Sequence, residues 1–502
     1  MIQKILIANR GEIAVRIMRS CKEMGIRTIA VYSEADRSAY HVSYADEAYC
    51  IGGAASSESY LHIDRIIQTA IDHDADAIHP GYGFLSENAE FARKCLQNKL
   101  IFIGPSAEVI ECMGDKIRAR KEMIRADVPV VPGTEKPLEN VAEVVEVSNR
   151  IGYPVILKAS MGGGGKGMRI IYTQEDIKEA YESARSEALA SFGDNTVYIE
   201  KYIEEPHHIE FQLLADHHGN VIHLFERECS VQRRNQKIVE ETPSPFINDE
   251  IRREMGLNAV RAAKAVGYSG AGTIEFLVDK YQQFYFLEMN TRLQVEHPVT
   301  EEVLGLDLVK EQIEIANNNP LRFKQEELIQ RGHAIECRIC AEDTENSFMP
   351  SSGVIRQLKE PHGIGVRIDS YIYEGYEIPV YYDSMIGKLI VWGTTRQYAI
   401  ERMRRVLYEY KITGIKTNIG YLRRIMHNPE FVKGHYTTLF VAKNSKTLQR
   451  QNGNEEIENI ASIAAYINYL ISLDENVGIA LTDKRPISRW REFGRQKGIL
   501  RI

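Results

Sequence analysis

The apolar positions fall into short runs whose period changes along the chain. Residues 4–8 (Lys-Ile-Leu-Ile-Ala) read as an apolar strand, and Asn9-Arg10-Gly11 turns the chain. Ile13, Ile17, Cys21 and Met24 then recur at helical spacing up to Gly25. Thr28–Tyr32 reads as a second strand, so the chain opens on a strand–helix–strand unit. Asp76–His79 runs into Pro80-Gly-Tyr-Gly-Phe84, and Leu100–Ile103 into Gly104-Pro105. Strands that end in Gly/Pro turns and alternate with helices predict a doubly wound parallel sheet, and so an α/β fold, over about residues 1–113.

The pattern then changes. A helix is expected over about 115–126, followed through Pro129 and Pro132 by mixed structure around Pro154-Val-Ile-Leu-Lys158. Residues 204–330 alternate apolar and polar positions, as strands do. Thr273–Val278 and Phe284–Glu288, with a turn at Asp279–Gln282, predict an antiparallel hairpin with Glu275 roughly opposite Glu288 and Asn290 on the Glu288 face. Another strand region begins near His333, a helix near 397–410 and a turn at Gly414. The polar run 444–455 reads as a linker. Ile457, Ile460, Ala464, Ile467 and Ile471 trace one helix face beyond it, and the chain ends in a basic stretch carrying Trp490 and Phe493. No internal repeat is present.

Composition adds limits. The 502 residues suggest about three domains, and 44% apolar with 26% charged residues is ordinary for a globular chain. The formal charge of −8 disfavours a nucleic-acid partner. No apolar run reaches the length a bilayer needs, and the N-terminus lacks the layout of a signal peptide. Seven scattered cysteines fit a reducing cytosol, so a cytoplasmic location without a membrane partner is expected. Cys337 and Cys340 form a CxxC on an expected strand, where residues three apart face opposite ways, so no shared metal or disulfide is expected there.

The chemistry concentrates in two places. Phe284–Pro298 ends an aromatic strand in Glu288, Asn290, Arg292, Gln294 and Glu296, more polar groups than a buried strand end carries without ligands to pair them. Facing carboxylates at Glu275 and Glu288 repel unless a cation lies between them, and hard oxygen ligands suit Mg²⁺. Upstream, Gly162–Gly165 with Lys166 follows a strand ending at Lys158. Consecutive glycines let backbone N–H groups approach an anion. The loop is not a Walker A motif, because Gly167 follows Lys166 where Ser or Thr would be needed. Glu200 ends a third apolar strand and could take an adenine amino group. His208 and Glu210 alternate on Pro206–Leu213, on a solvated or a site-facing side. Cys229–Lys237 is dense in donors and reads either as a phosphate-binding run or as a solvated basic one.

Taken as a set, these segments resemble biotin carboxylase, an ATP-grasp enzyme. The resemblance rests on Ala8–Ala14, His79–Asn88, Met113–Lys116, Lys158–Met168, Gln232–Lys237, Glu288–Pro298, Gly332–Ile339 and Tyr381–Lys388, and covers about residues 1–445. It implies a parallel-sheet domain over 1–113, an ATP-grasp domain over 114–330 with a mobile lid at about 132–203, an α+β C-terminal domain over 331–446, and an extension over 447–502. It further implies that Lys116, Lys158, Glu200, Lys201, Ile203, His208, Gln232 and Glu275 line the ATP site. Gly163, Gly164, Gly165 and Met168 would close over the phosphates, and Glu275, Glu288 and Asn290 would hold Mg²⁺ or Mn²⁺. Bicarbonate would meet Lys237, Arg292, Gln294, the backbone of Val295 and Glu296. Glu296 would be the base, with Arg292, Arg338 and Lys237 completing the catalytic set, and Arg338 and Tyr82 would face biotin.

The implied reaction is ATP-dependent carboxylation of biotin through carboxyphosphate. Asn235 stands where the family often has His, and Asn cannot carry charge, which lowers any phosphate or ribose role there. Ile203 in place of a frequent Leu is mild. No lysine hairpin for biotin attachment and no carboxyltransferase segment is recognisable. Biotin is therefore expected on a separate carrier protein, with separate carboxyltransferase subunits choosing acetyl-CoA, propionyl-CoA or pyruvate as acceptor. A homodimer is implied, and the tail after about 447 is a candidate docking segment for the carrier or the carboxyltransferase. The competing readings are another ATP-grasp carboxylate–amine ligase and a non-catalytic ATP-binding subunit. The second would be expected to lack Glu275, Glu288 or Glu296, all of which are present.

Overall fold

A computed structural model describes residues 1–134, 136–159, 168–192, 195–449, 460 and 462–467. The chain forms two compact units, Met1–Gln449 and Arg450–Ile502. In the second, residue 460 and residues 462–467 are helical and expose Ile460, Ile463, Tyr466 and Ile467. The rest of the tail, including Trp490 and Phe493, lies outside the described residues.

Within the first unit, five parallel strands lie in the order Glu47–Gly52, Arg27–Ser33, Lys4–Ile7, Ala77–His79, Ile101–Phe102. The apolar face of the helix Gly11–Glu23 buries Ile13, Ile17 and Cys21 against this sheet. The chain leaves Lys4–Ile7 toward one edge and Ala77–His79 toward the other, and such a reversal opens a crevice at the strands' carboxyl ends. Asn9 and Tyr82 stand there. Asn9 Nδ2 donates to the carbonyls of Pro80 (2.8 Å) and Tyr82 (2.7 Å). Gly81, at φ +64°, leaves room for that contact, since a Cβ would lie 3.1 Å from Asn9 Nδ2.

The central architecture is an eight-stranded antiparallel sheet. Its order is Phe284–Asn290, Gly270–Val278, His207–Ala215, Val221–Arg233, Gln236–Thr242, His333–Cys340, Met385–Gly393, Val366–Ser370. The sheet continues across residue 330 because Gln236–Thr242 pairs with His333–Cys340. A smaller antiparallel sheet of Met168–Ile171, Val155–Ala159 and Val197–Lys201 packs on the helices Val141–Ile151 and Ile177–Phe192, with its own core around Val144, Leu157, Tyr181 and Ile199. Arg10 ties the parallel sheet to the C-terminal segment. It forks onto Asp36 at 2.6 and 2.8 Å while its guanidinium lies 4.1 Å from the Tyr382 ring centroid.

The helix expected over about 115–126 is present as Lys116–Arg125; another, Ala107–Gly114, precedes it, and the chain starts afresh at Lys116 because the Asp115 carboxylate caps Ile117 and Arg118 N–H at 2.9 and 3.0 Å. One expectation changes. The polar run from 444 is no linker at its start. Ser445–Leu448 is helical, and its one apolar side chain, Leu448, is buried in the C-terminal core. Arg424 Nε anchors the Leu448 carbonyl at 2.6 Å. Cys337 and Cys340 are free thiols, Cys337 buried in the core and Cys340 partly exposed.

Glu241 joins four segments, accepting from His333 Nε2 (2.5 Å), from Arg396 Nε and Nη2 (2.7 and 2.9 Å) and from the Tyr436 hydroxyl. Burial alone would raise its carboxyl, but Arg396 and His333 outweigh burial and hold it at about 2. An unfolded Glu titrates near about 4.3. This carboxylate therefore contributes stability that is present above that value and is lost as pH falls toward about 2. Glu241→Gln should accordingly flatten that acid limb in denaturant titrations at stepped pH; a limb of unchanged steepness would contradict the assignment. Leu448→Ala should cost about 2–5 kcal/mol of unfolding free energy, against almost nothing for a linker residue.

Candidate active site

The hairpin register is the expected one: Glu275 pairs with Glu288 and Thr273 with Asn290, with a bulge after Glu275. His208 and Glu210 sit on the neighbouring strand, where Glu210 pairs with Glu275. Both are buried, which removes the solvated alternative for them. The two-residue turn Arg234–Asn235 (φ +52° and +64°) returns the chain from Arg233 to Gln236 and carries Lys237 in toward these acids. Asn tolerates this left-handed backbone well. Position 235 thus has a conformational job that needs no charge.

Lys237 Nζ lies 2.5 Å from Glu210 Oε2, 2.8 Å from Glu275 Oε1 and 2.6 Å from Glu296 Oε1. One ammonium thus bridges three carboxylates that would otherwise repel in a dry setting. Beneath them Arg227, fully buried, donates to Glu210 (2.5 Å), Gln212 (2.7 Å), Thr300 (3.0 Å) and Thr273 (3.2 Å). Arg338 reaches Glu296 Oε2 at 3.0 Å and Glu240 Oε1 at 2.6 Å. Burial would raise the Glu296 carboxyl, but Lys237, Arg338 and Arg227 together hold it well below the usual carboxylate range. Burial pushes Glu240 up to about 7, against the pull of Arg338.

Around Glu275 the contacts are His208 Nε2 (2.7 Å), Asn290 Nδ2 (3.0 Å) and Gln294 Nε2 (3.3 Å). Lys237 and His208 overcome burial and keep Glu275 ionised. Opposite it Glu288 is raised, by burial first and then by the charge of Glu275. A divalent cation would remove that repulsion, and the oxygens of Glu275, Glu288 and Asn290 fit one. His208, Glu210 and Glu275 also converge within 4.8 Å, but the Lys237 ammonium already supplies a cation to both of these acids.

Arg292 is held by Glu87 (2.8 Å), Gln294 (3.0 Å) and Asn290 (3.1 Å). His208, Lys237, Glu275, Glu288, Asn290, Arg292, Gln294, Glu296 and Arg338 face one cavity of about 1310 Å³. The same cavity is bordered by Tyr82, Lys116, Lys158, Met168, Glu200, Lys201, Ile203 and Gln232, by the backbone segment at Val295, and by Asn235. Lys158 pairs with Glu200 at 2.5 Å, Lys201 Nζ binds the carbonyls of Gly152 and Tyr153, and Gln232 sits 2.6 Å from His208 Nδ1. Gly163, Gly164, Gly165 and Lys166 lie outside the described residues.

Sequence reasoning left Glu210, Arg227, Glu240 and Glu87 without roles. Glu210 carried one usable signal, a charge between Ile209 and Phe211. Glu240 stands beside Glu241 and Arg227 between Glu226 and Glu228, so neither stands out among its neighbours, and Glu87 lies within the motif His79–Asn88.

Opposed carboxylates suit a metal–polyphosphate, and the neighbouring cations suit a small anion. A chain that gathers both in one cavity between antiparallel sheets is an ATP-dependent ligase of the ATP-grasp class. Three family models match in sequence: the biotin carboxylase N-terminal domain at residues 1–110, the carbamoyl-phosphate synthase L chain ATP-binding domain at 115–324, and the biotin carboxylase C-terminal domain at 336–443. The chain belongs to the biotin carboxylase family.

Among its relatives, biotin carboxylase of Nostoc sp. is 57% identical over 443 residues, 88% of this chain and 99% of the relative. Biotin carboxylase 1 of Bacillus subtilis is 55% identical over 442 residues, 88% and 98% of the two chains. The Campylobacter jejuni biotin carboxylase structure, a complex with β-γ-ATP, superposes with a TM-score of 0.83 at 51% identity, covering 88% of this chain and 99% of that one. The biotin carboxylase domain dimer of Hydrogenobacter thermophilus 2-oxoglutarate carboxylase, with MgADP, ADP and bicarbonate, gives a TM-score of 0.83 at 50% identity, covering 90% and 100%.

Lys237→Met should remove the one cation shared by three buried carboxylates and cost about 3–5 kcal/mol in urea unfolding. Adding Glu210→Gln should return part of that loss. A single variant as stable as the unsubstituted chain would mean the bridge is not what holds these acids together.

Proposed function

We propose that this chain carboxylates biotin at N1′ with bicarbonate and MgATP, through carboxyphosphate, yielding carboxybiotin, ADP and phosphate. The observation that carries this reading is the clamp on Glu296: a fully buried carboxylate held between Lys237 and Arg338, a few residues from Arg292 and Gln294. In the proposed roles, Lys116, Lys158, Met168, Glu200, Lys201, Ile203, His208 and Gln232 surround the nucleotide. Gly163–Gly165 close on its phosphates as part of a lid at about 132–203. Glu275, Glu288 and Asn290 hold Mg²⁺, which when bound neutralises charge on the phosphates. Arg292, Gln294, Lys237 and the Val295 backbone take bicarbonate.

The electrostatics support Glu296 as base. In the absence of substrate its cations keep it ionised. An entering bicarbonate, itself an anion, draws Lys237 and Arg338 toward its own oxygens. Glu296, relieved of part of its pairing, regains basicity and accepts the bicarbonate proton as that oxygen attacks the γ-phosphate. Carboxyphosphate then yields CO₂ and phosphate within the closed cavity. The phosphate takes the N1′ proton, Arg338 stabilises the ureido oxygen with Tyr82 alongside, and N1′ attacks CO₂.

Biotin arrives on a separate carrier, and the acceptor is set by carboxyltransferase subunits. A homodimer is proposed, by likeness to the dimeric Hydrogenobacter domain. Among the described residues no helix is long and apolar enough to cross a membrane.

The test is ADP release with MgATP and bicarbonate, with and without free biotin. Turnover should need bicarbonate, rise with biotin, and fall about 10²–10⁴-fold in Glu296→Ala. Biotin-independent turnover that survives the substitution would point to another ATP-grasp ligase.

A further inference from the structure

Lys388 lies on the strand Met385–Gly393, is fully buried, and has no part in the roles above. It is the direct cross-strand partner of Arg338, so the two side chains share a sheet face. Arg338 holds the carboxylate of Glu296. Lys388 Nζ donates to the carbonyl of Val295 at 2.8 Å, on the peptide group that immediately precedes residue 296. Two adjacent cations thus hold the base from its side chain and from its backbone.

The distances separate this from simple charge balance. An ammonium placed only to neutralise an acid would lie closest to that acid. Here Glu12 Oε1 is 3.4 Å away and Asp369 Oδ2 3.9 Å, both farther than the carbonyl. The Glu12 oxygens are buried without a hydrogen-bond partner among the described residues. Glu336, on the same face two residues before Arg338, also has both oxygens buried and unpartnered among the described residues, and burial pushes its carboxyl well up. The Tyr82 ring centroid lies 5.8 Å from Nζ. Lys388 therefore meets Glu12 from the helix Gly11–Glu23, Val295 from the loop after the hairpin, and Asp369 from a C-terminal strand, and its shortest bond is to the loop.

We propose that Lys388 is a positioning residue for carboxylation: by fixing the Val295–Glu296 peptide it aims the Val295 backbone and the Glu296 carboxylate at bicarbonate. This rests on the function proposed above. Lys388→Met removes charge and donor at similar volume but strands Glu12 beside Asp369, which threatens the fold. Lys388→Met with Glu12→Gln removes the stranded charge as well, and it is the variant that decides.

The full chain is assayed for bicarbonate- and biotin-dependent ADP release, with separate Michaelis constants for bicarbonate and ATP and a thermal melt. The double variant should melt within a few degrees of the unsubstituted chain and keep its ATP constant within about twofold. Its kcat/KM for bicarbonate should fall about ten- to a hundredfold, the scale expected of a misaimed reacting group. A double variant that uses bicarbonate as the unsubstituted chain does would overturn the proposal alone. So would one in which the ATP and bicarbonate parameters decline together with the melt, because that marks a purely structural lysine. An unsubstituted chain with no bicarbonate-dependent turnover would remove the functional reading and this proposal with it.

Discussion

The site depends on one ammonium shared by three acids. Glu210, Glu275 and Glu296 come from two strands and a loop, and each would lose heavily by burial as an isolated anion. Lys237 lets them converge, and Arg227 and Arg338 supply the rest of the countercharge from below and beside. The surrounding architecture can be read as what is needed to deliver those cations: a tight turn ahead of Lys237, a strand interior for Arg227, and an added strand for Arg338. The pairing also sets the chemistry. If Glu296 is the base, as proposed, a carboxylate held this firmly would stay inert until another anion competed for its partners, so the substrate itself would switch it on.

Much of this was legible in the sequence because the signals were local. The period of the apolar residues marks the first strand–helix–strand unit, and spacing across a short turn places Glu275 opposite Glu288. The cluster after Phe284 announces itself by carrying more polar groups than a strand end needs. What stayed hidden was non-local. Arg227 and Glu240 look like ordinary charges in strands until their partners, on other strands, arrive from elsewhere in the chain. The pairing that joins Gln236–Thr242 to His333–Cys340 spans about ninety residues of intervening chain, beyond the reach of any periodicity. The polar run after residue 444 misled for the opposite reason: composition averages over a window, and one buried leucine was enough to dock the segment.

The three stretches that family models recognise separately meet at the cavity, and none holds the chemistry alone. The N-terminal stretch brings Asn9 and Tyr82, the central one Glu275, Glu288, Glu296 and Lys237, and the C-terminal one Arg338, while Glu87 and Lys388 stand behind them on Arg292 and on the Val295 carbonyl. Arg10, forked onto Asp36 and stacked on Tyr382, adds a rigid tie between the outer two.

The continuity of the eight-stranded sheet sets a limit on how such a chain can be cut and recombined. Family boundaries near residue 330 suggest a natural seam for shuffling or splitting genes. Hydrogen bonding says otherwise: a break there would bare two long ladder edges of unpaired backbone groups, the surfaces on which strands add to one another and aggregate. The unit that keeps this ladder whole is residues 1–449, which sets the piece that recombination would have to exchange intact.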